Sequence, residues 1–246
     1  MLSDFYQGTN AALSGFMLIR QRGIKRYVIV PLLINILLFG SALWYIYARA
    51  DRGITAMVEW LPDWLDWLSW LVWALLGLLL CSVAFYSFTL AANFIGSPFN
   101  GRLSEKIEQR LIGYAPPSSG QVYTTAGIKN SIHSELAKLG YLLSRSLPLL
   151  VLSFIPVINI FAPLLWFLFG AWMLALEYLD YPMGNHGIPF AEQRLKLRQR
   201  PLLALGFGMA VCGLTFIPLV NFLAMPVAVS GATRLWVLHL SRQSPA

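Results

Sequence analysis

The stretch SLPLLVLSFIPVINIFAPLLWFLFGAWMLAL (Ser146–Leu176) carries no charged residue, and near its middle Pro156 and Pro163 bracket Asn159. A second charge-free stretch, Pro201–Thr233, repeats the pattern. Phe154-Ile155-Pro156-Val157-Ile158-Asn159 returns as Phe216-Ile217-Pro218-Leu219-Val220-Asn221, and Pro226 follows as Pro163 does. Proline removes a helical hydrogen bond and its ring clashes with the preceding turn, while asparagine favours turns. Each run is therefore expected to break into two short helices. The pieces Ser146–Ile155 and Leu164–Leu176 would each be roughly 15–20 Å long at 1.5 Å per residue. That falls short of a hydrocarbon core of about 30 Å. A hairpin that enters and leaves by one face resolves the mismatch, provided its irregular apex is buried in protein or lines a wet cavity.

Two further charge-free stretches, Tyr27–Ala48 and Trp67–Gly101, are long enough to cross that core. The chain of 246 residues is 57% hydrophobic and only 12% charged. A soluble domain needs about 25% charge to dress its surface. These features predict an all-α membrane protein, one polytopic domain over residues 1–246, with two long transmembrane helices and two re-entrant, hemi-penetrating hairpins. Trp60, Trp64, Trp67, Trp70 and Trp73 precede or open the second stretch at near-helical spacing, as an interfacial aromatic belt would. The first nineteen residues hold Asp4, Gln7 and Asn10 without a basic-then-apolar leader pattern, so insertion is expected to begin at Tyr27–Ala48.

The basic residues choose between spans and hairpins. In chain order the polar segments hold four Lys and Arg (Arg20, Arg22, Lys25, Arg26), two (Arg49, Arg52), six (Arg102 to Arg145), four (Arg194 to Arg200) and two (Arg234, Arg242). Single spans throughout would put the Arg194–Arg200 cluster outside, against the positive-inside bias. Re-entrant hairpins leave only the Arg49–Asp66 loop outside, and that loop carries four acidic residues. Both termini are then cytoplasmic. Two amphipathic helices are expected on the cytoplasmic side. Ser97-Pro98 would start the first, striped by Leu103, Ile107 and Leu111. The second carries Ile128, Ile132, Leu136, Leu139 and Leu143, and Tyr114–Gly120 links the two.

The net charge of +7 invites a nucleic-acid reading, but the cations flank apolar runs and form no basic domain. Gly96–Gly101 has the glycine spacing of a phosphate loop, yet Arg102-Leu103 follows it and no strand precedes it. His133, His186 and His239 are scattered, and Cys81 and Cys212 lie inside apolar runs. No enzyme activity, metal or cofactor is expected. What remains is a conduit. Gly23, Lys25 and Arg26 at a helix start offer backbone amides and cations to an oxyanion. Residues of this kind also set orientation and meet lipid phosphate. The Ser97–Arg110 region mixes both signs of charge, and Arg102 can pair with Glu105 at i,i+3. It is expected to gate or filter an anion path, with Glu105 the titrating group.

Gly23–Asn35 resembles the first-span signature of the CysZ family of sulfate permeases. Asn93–Gly101 with Leu103, Glu105, Lys106 and Glu108 resembles its second. The paired Pro-x-x-Asn runs and Gly187-Ile188-Pro189-Phe190 with Arg194 extend the likeness over nearly the whole chain. The resemblance implies a homo-oligomeric, proton-dependent sulfate permease of the bacterial inner membrane that feeds cysteine biosynthesis. It assigns sulfate binding to Gly23, Ile24, Lys25 and Arg26; Asn93, Arg102, Glu105 and Lys106 are the residues expected at the pore. The family's Gly-Leu-Arg-Arg stretch departs here at Ile24 and Lys25, and a lysine lacks the bidentate fork of arginine. Import of a dianion against an inside-negative potential costs about 4.6 kcal/mol per 100 mV, so protons or downstream consumption must drive it. The expected partners are sulfate and membrane lipid, with no nucleic acid. A rival reading is a membrane scaffold that holds anionic lipid through its basic patches.

Overall fold

The computed structural model describes residues 2–58, 69–113 and 125–241. Trp60, Trp64 and Trp67, the Tyr114–Gly120 linker and the side chains of Trp73, Cys81 and Asn93 lie outside the described residues. The chain is helical, with no strand among the described residues: α1 (Leu2–Ile19), α2 (Lys25–Val58), α3 (Ser69–Ile112), α4 (Thr125–Ser153), α5 (Ala162–Asn185), α6 (Phe190–Gln199), α7 (Pro201–Thr215) and α8 (Pro218–Leu235). Contacts divide it into two units, Met1–Val28 with Asn100–Ala246, and Ile29–Phe99.

The smaller unit is built from the two long helices. α2 has 34 residues and α3 has 44, or about 51 and 66 Å at 1.5 Å per residue. Both exceed the hydrocarbon core. Leu33, Leu37, Trp44, Trp70 and Leu78 are all more than half exposed, and only 6% of the Lys25–Tyr45 span is buried. Apolar helices with apolar outer surfaces require a lipid solvent. This is an all-α, multi-pass membrane protein.

In the larger unit the predicted breaks fall where the prolines stand. α4 ends at Ser153, and α5 starts after an irregular apex that closes with a 3-10 turn at Ile158–Phe161. As residue numbers on α4 fall, partners on α5 rise. Trp166 Nε1 donates to Ser153 Oγ at 3.1 Å, Trp172 Nε1 to Tyr141 Oη at 3.2 Å, and Lys138 Nζ to Asp180 at 2.5 Å. The two helices are therefore antiparallel neighbours. At the apex Val157 holds φ 73°, ψ −46°, a strained conformation for a β-branched residue. The second repeat breaks more sharply. Phe216 and Ile217 alone separate α7 from α8, Pro218 opens α8, and Asn221 and Pro226 lie within it. One proline at a helix's first turn needs no partner for its missing N–H, so this break requires no longer loop.

Residues 2–19, for which the sequence predicts no element, form α1. Three expectations need correction. Ser97-Pro98 starts no helix, because α3 runs through Pro98; proline is tolerated inside membrane helices when neighbouring groups satisfy the freed carbonyl. The first amphipathic stripe is core, with Leu103 and Ile107 fully buried. The second stripe and the apolar run that follows it form one helix, α4, of 29 residues. Nothing between Gly140 and Ser146 breaks it. Lys138 on this helix is buried between Asp180 at 2.5 Å and Glu135 at 2.8 Å. Gln193 Nε2 also donates to Asp180, at 2.7 Å.

α1 is held by backbone contact. A Cβ added at Gly8 would overlap Leu203 O, at Gly15 Val227 O, at Gly206 Phe5 O, at Gly208 Ala171 O and at Gly231 Ala11 O. Glycine lets helix axes approach this closely. Around these contacts pack Ala12, Phe207, Val211, Ala228 and Ala232, all fully buried. Thr9 Oγ1 donates to Gly206 O at 3.1 Å, and Arg200 clamps Asp4 at 2.6 and 3.3 Å. Gly187 (φ 69°) closes α5. Its amide donates to Gly184 O at 2.8 Å and that of Ile188 to Met183 O at 3.1 Å, the Schellman pattern. Pro189 then opens α6.

Gly208→Val is expected to destabilise the detergent-solubilised protein by about 1–3 kcal/mol, as overpacking does. Gly213→Ala, whose Cβ would meet nothing within 4 Å, is expected to leave the melting temperature level or slightly raised. Equal melting of the two variants would refute backbone contact as the organiser. The Asp4 carboxyl is held below its ordinary value of 3.8 by its hydrogen bonds to Arg200. A carboxylate depressed in the fold contributes stability above its unfolded pKa and loses it as pH falls. The melting difference between wild type and Asp4→Asn is therefore expected to be full at neutral pH and to close below about pH 4.

Candidate anion site at the α1–α2 turn

Between Ile19 and Lys25 the chain turns from α1 into α2. Gly23 makes the turn possible with φ 88°, a left-handed conformation that disfavours any residue with a Cβ. Ile24 is 2% exposed and packs with Leu18, Val28, Leu103 and Ile107. Its side chain anchors the turn and leaves Arg20, Arg22, Lys25 and Arg26 in the open. The amides of Ile24 and Lys25 both donate to Gln21 O, at 3.2 and 3.4 Å. They close the turn on itself and are not aimed outward. Arg26 lies with its guanidinium carbon 4.9 Å from the Tyr27 ring centroid, and Nη2 donates to Tyr27 Oη at 3.0 Å.

A fifth cation joins from 88 residues away, because Arg110 Nη1 donates to Arg22 O at 2.9 Å. Arg102, Lys106 and Arg110 stand at i, i+4 and i+8 on α3, all exposed, so they form one basic stripe whose end touches the turn. Among the described residues no carboxylate lies within 4 Å of Arg20, Arg22, Lys25, Arg26, Arg102, Lys106 or Arg110. Of the other cations, Lys138 is paired with Glu135 and Asp180, Lys196 with Glu192 and Arg200 with Asp4. Arg145, Arg194, Arg198 and Arg234 also have no carboxylate within 4 Å among the described residues. What sets the stripe and the turn apart is that their seven cations form one track joined by the Arg110–Arg22 contact.

The expected Arg102–Glu105 pair does not form. Lys106 Nζ instead donates to Gln109 Oε1 at 2.9 Å. Glu105 is half-buried, and burial pushes its carboxyl above the ordinary value against the pull of Arg102 and Lys106. Asn93 lies on α3, but its side chain is outside the described residues. Arg110 was missed by sequence reasoning. Its i+4 spacing from Lys106 was readable, but its contact with Arg22 is tertiary.

A family model described as "Sulfate transporter CysZ/Etoposide-induced protein 2.4" matches residues 11–226. The match covers both long helices, the α4–α5 hairpin, α7 and α8 as far as Pro226, the Gly23–Arg26 turn and the stripe on α3. With that coverage the chain belongs to the CysZ/EI24 family of transporter-type membrane proteins.

Proposed function

We propose that this protein imports sulfate across a bacterial inner membrane for cysteine biosynthesis, driven by protons, as a homo-oligomer with both termini in the cytoplasm. The observation that carries the reading is the uncompensated positive track, Arg102, Lys106 and Arg110 leading to Arg20, Arg22, Lys25 and Arg26. Sulfate keeps its double charge at any physiological pH, so a site for it needs permanent cations. Here they come as side chains. Because the Ile24 and Lys25 amides are engaged with Gln21, Lys25 and Arg26 supply the charge-assisted bonds, and Gly23 and Ile24 set the turn that presents them. The family description adds its support. The protein acts as a conduit and performs no covalent chemistry. A scaffold that merely binds anionic lipid would also use exposed arginines, but would move no anion.

The hairpins are re-entrant in this proposal. α4 and α5, with 29 and 24 residues or about 43 and 36 Å, are longer than the short pieces expected from the apolar run, because each continues into the polar segment beside it. The length argument therefore rests on α7. α7 has 15 residues, or about 22 Å, short of a core of about 30 Å. Hairpins that stop inside the membrane need protein neighbours, and Phe216, Phe222, Phe154 and Ile160 at and beside the two apices are all more than two-thirds exposed. A second copy of the chain suits them.

Single cysteines in a background lacking Cys81 and Cys212 test the topology. Ala191, exposed on α6, and Ser241 are expected to label only from the cytoplasm and Asp63 only from outside. Labelling of Ala191 from the periplasm would restore full spans.

Uptake of radiolabelled sulfate into proteoliposomes, with sulfite and phosphate as competitors, tests the function, and no uptake would leave the scaffold reading. Binding to purified variants tests the site. Arg26→Ala is expected to weaken sulfate binding by about 1.5–3 kcal/mol, the range for a hydrogen bond to a charged group. Lys25→Ala should lose less and Arg22→Ala little. Gly23→Val removes no charge but forbids the left-handed turn, and should weaken binding too. Wild-type binding by both Arg26→Ala and Gly23→Val would place the site elsewhere.

A further inference from the structure

The end of α3 has a second face, opposite in character to its basic stripe. Asn100, Ser104 and Glu108, spaced at i, i+4 and i+8, are 5%, 0% and 3% exposed. Polar groups at such depth are normally satisfied. Thr233 Oγ1 donates to Ser104 Oγ at 2.9 Å, and Asn185 Nδ2 to Gly101 O at 3.1 Å. The Glu108 carboxylate meets His186 Nε2 at 2.7 Å through Oε1. Its Oε2 is buried without a hydrogen-bond partner, as are Asn100 Nδ2 and Trp236 Nε1. The His186 ring stands 5.5 Å from that of Trp236 and keeps a quarter of its side chain exposed. This is a polar seam through an otherwise apolar core, with one opening to water at the imidazole.

The other charged or titratable groups on the surrounding elements are Arg102, Glu105, Lys106 and Arg110 on α3, Glu177, Tyr178, Asp180 and Tyr181 on α5, Arg22 on the turn, Arg234 on α8 and His239 beyond it. Among the described residues none of these forms a hydrogen bond or ion pair with Glu108 or His186. The buried carboxylate therefore depends on one imidazole, a group that ordinarily changes charge between pH 5 and 8. An isolated buried charge is expensive.

We infer that Glu108 and His186 form the proton-binding pair that couples proton movement to anion passage, in place of Glu105. The inference rests on the sulfate-import reading. With one proton, Nε2–H donates to the Glu108 carboxylate and the pair carries a net charge of −1. A second proton, taken from water onto Nδ1, makes an imidazolium beside a carboxylate and brings the net charge to zero. Only Nδ1–H forms, and no other bond changes. Glu108 lies on the same two turns of α3 as Lys106 and Arg110, so neutralising the pair removes a negative charge from beside the path offered to a dianion. Release of the proton on the other side of the cycle restores the charge and resets the barrier.

The test uses full-length protein in proteoliposomes with labelled sulfate, with and without a pH gradient, and with exchange of internal for external sulfate as a second readout. For wild type a gradient of about one pH unit is expected to raise steady-state sulfate accumulation about tenfold per coupled proton. In Glu108→Gln and in His186→Gln that ratio is expected to fall to about one while exchange persists, a split that a misfolded protein would not give. Glu105→Gln is expected to keep the gradient response. If one of the two variants cannot be purified, the other carries the test alone. Should wild type move no sulfate in any arm, the import reading falls and takes the coupling with it. Should wild type respond to the gradient and both variants respond equally, or should Glu105→Gln alone lose the response, the pair is not the proton site although import stands.

Discussion

Contact between helix backbones at glycine is the constraint on which the larger unit depends. In a membrane, lipid tails are as apolar as leucine, so burying leucine against leucine offers little drive for helices to associate. Close approach supplies that drive by van der Waals contact. Gly8 and Gly15 present one side of α1 to α7 and α8, Gly206 and Gly231 answer from α7 and α8, and Gly208 brings α7 against α5 in the same way. A substitution that would be silent on a lipid-facing surface is blocked here by a carbonyl oxygen. Everything that follows, including the position of the turn after Ile19, takes its reference from this interlock.

Charge is then distributed with a clear division of labour. Asp180 and Asp4 each neutralise a cation on another element, Lys138 on α4 and Arg200 between α6 and α7, while Glu135 and Glu192 pair with Lys138 and Lys196 on their own helices. None is spent on the turn at Gly23 or on the outer stripe of α3. Buried ion pairs such as Lys138–Asp180 contribute little net stability, since desolvation offsets attraction; their effect is to tie α4 and α6 to α5 in one register. Seven of the cations left over follow the turn and the outer stripe of α3, so the same helix shows an open positive face and a sealed polar one.

What could be read from the sequence follows from the range of the forces involved. Proline acts on its own turn, so the breaks at Pro156 and Pro218 were visible, as were the two long apolar runs that became α2 and α3. The fold class and the apolar character of the broken hairpins came through for the same reason. Pro98 shows the limit of that rule, because a local penalty was outweighed by continuity of the helix on both sides. α1 was not visible at all. Its packing face is Gly8, Ala11, Ala12 and Gly15, residues with little hydrophobicity of their own, whose value appears only when Gly206 and Gly231 are brought opposite. At the candidate site the turn at Gly23 and the cations Lys25 and Arg26 were legible. The capture of the Ile24 and Lys25 amides by Gln21 was not, nor was the reach of Arg110 to Arg22 across 88 residues. The pairing of Glu108 with His186 spans 78 and was equally beyond any local signal.

The interlock of α1 also sets an order of events during synthesis. Thr9 bonds Gly206 across a separation of 197 residues and Asp4 bonds Arg200 across 196. At 5–20 residues per second a ribosome needs about 10–40 s to deliver those partners. Throughout that interval the first helix made has no groove to enter, and its glycine face must wait at the membrane while α2 to α6 are placed. The last hairpin to emerge is thus the one that completes the assembly, and a pause in elongation after Arg200 would leave every earlier helix inserted yet the unit unclosed.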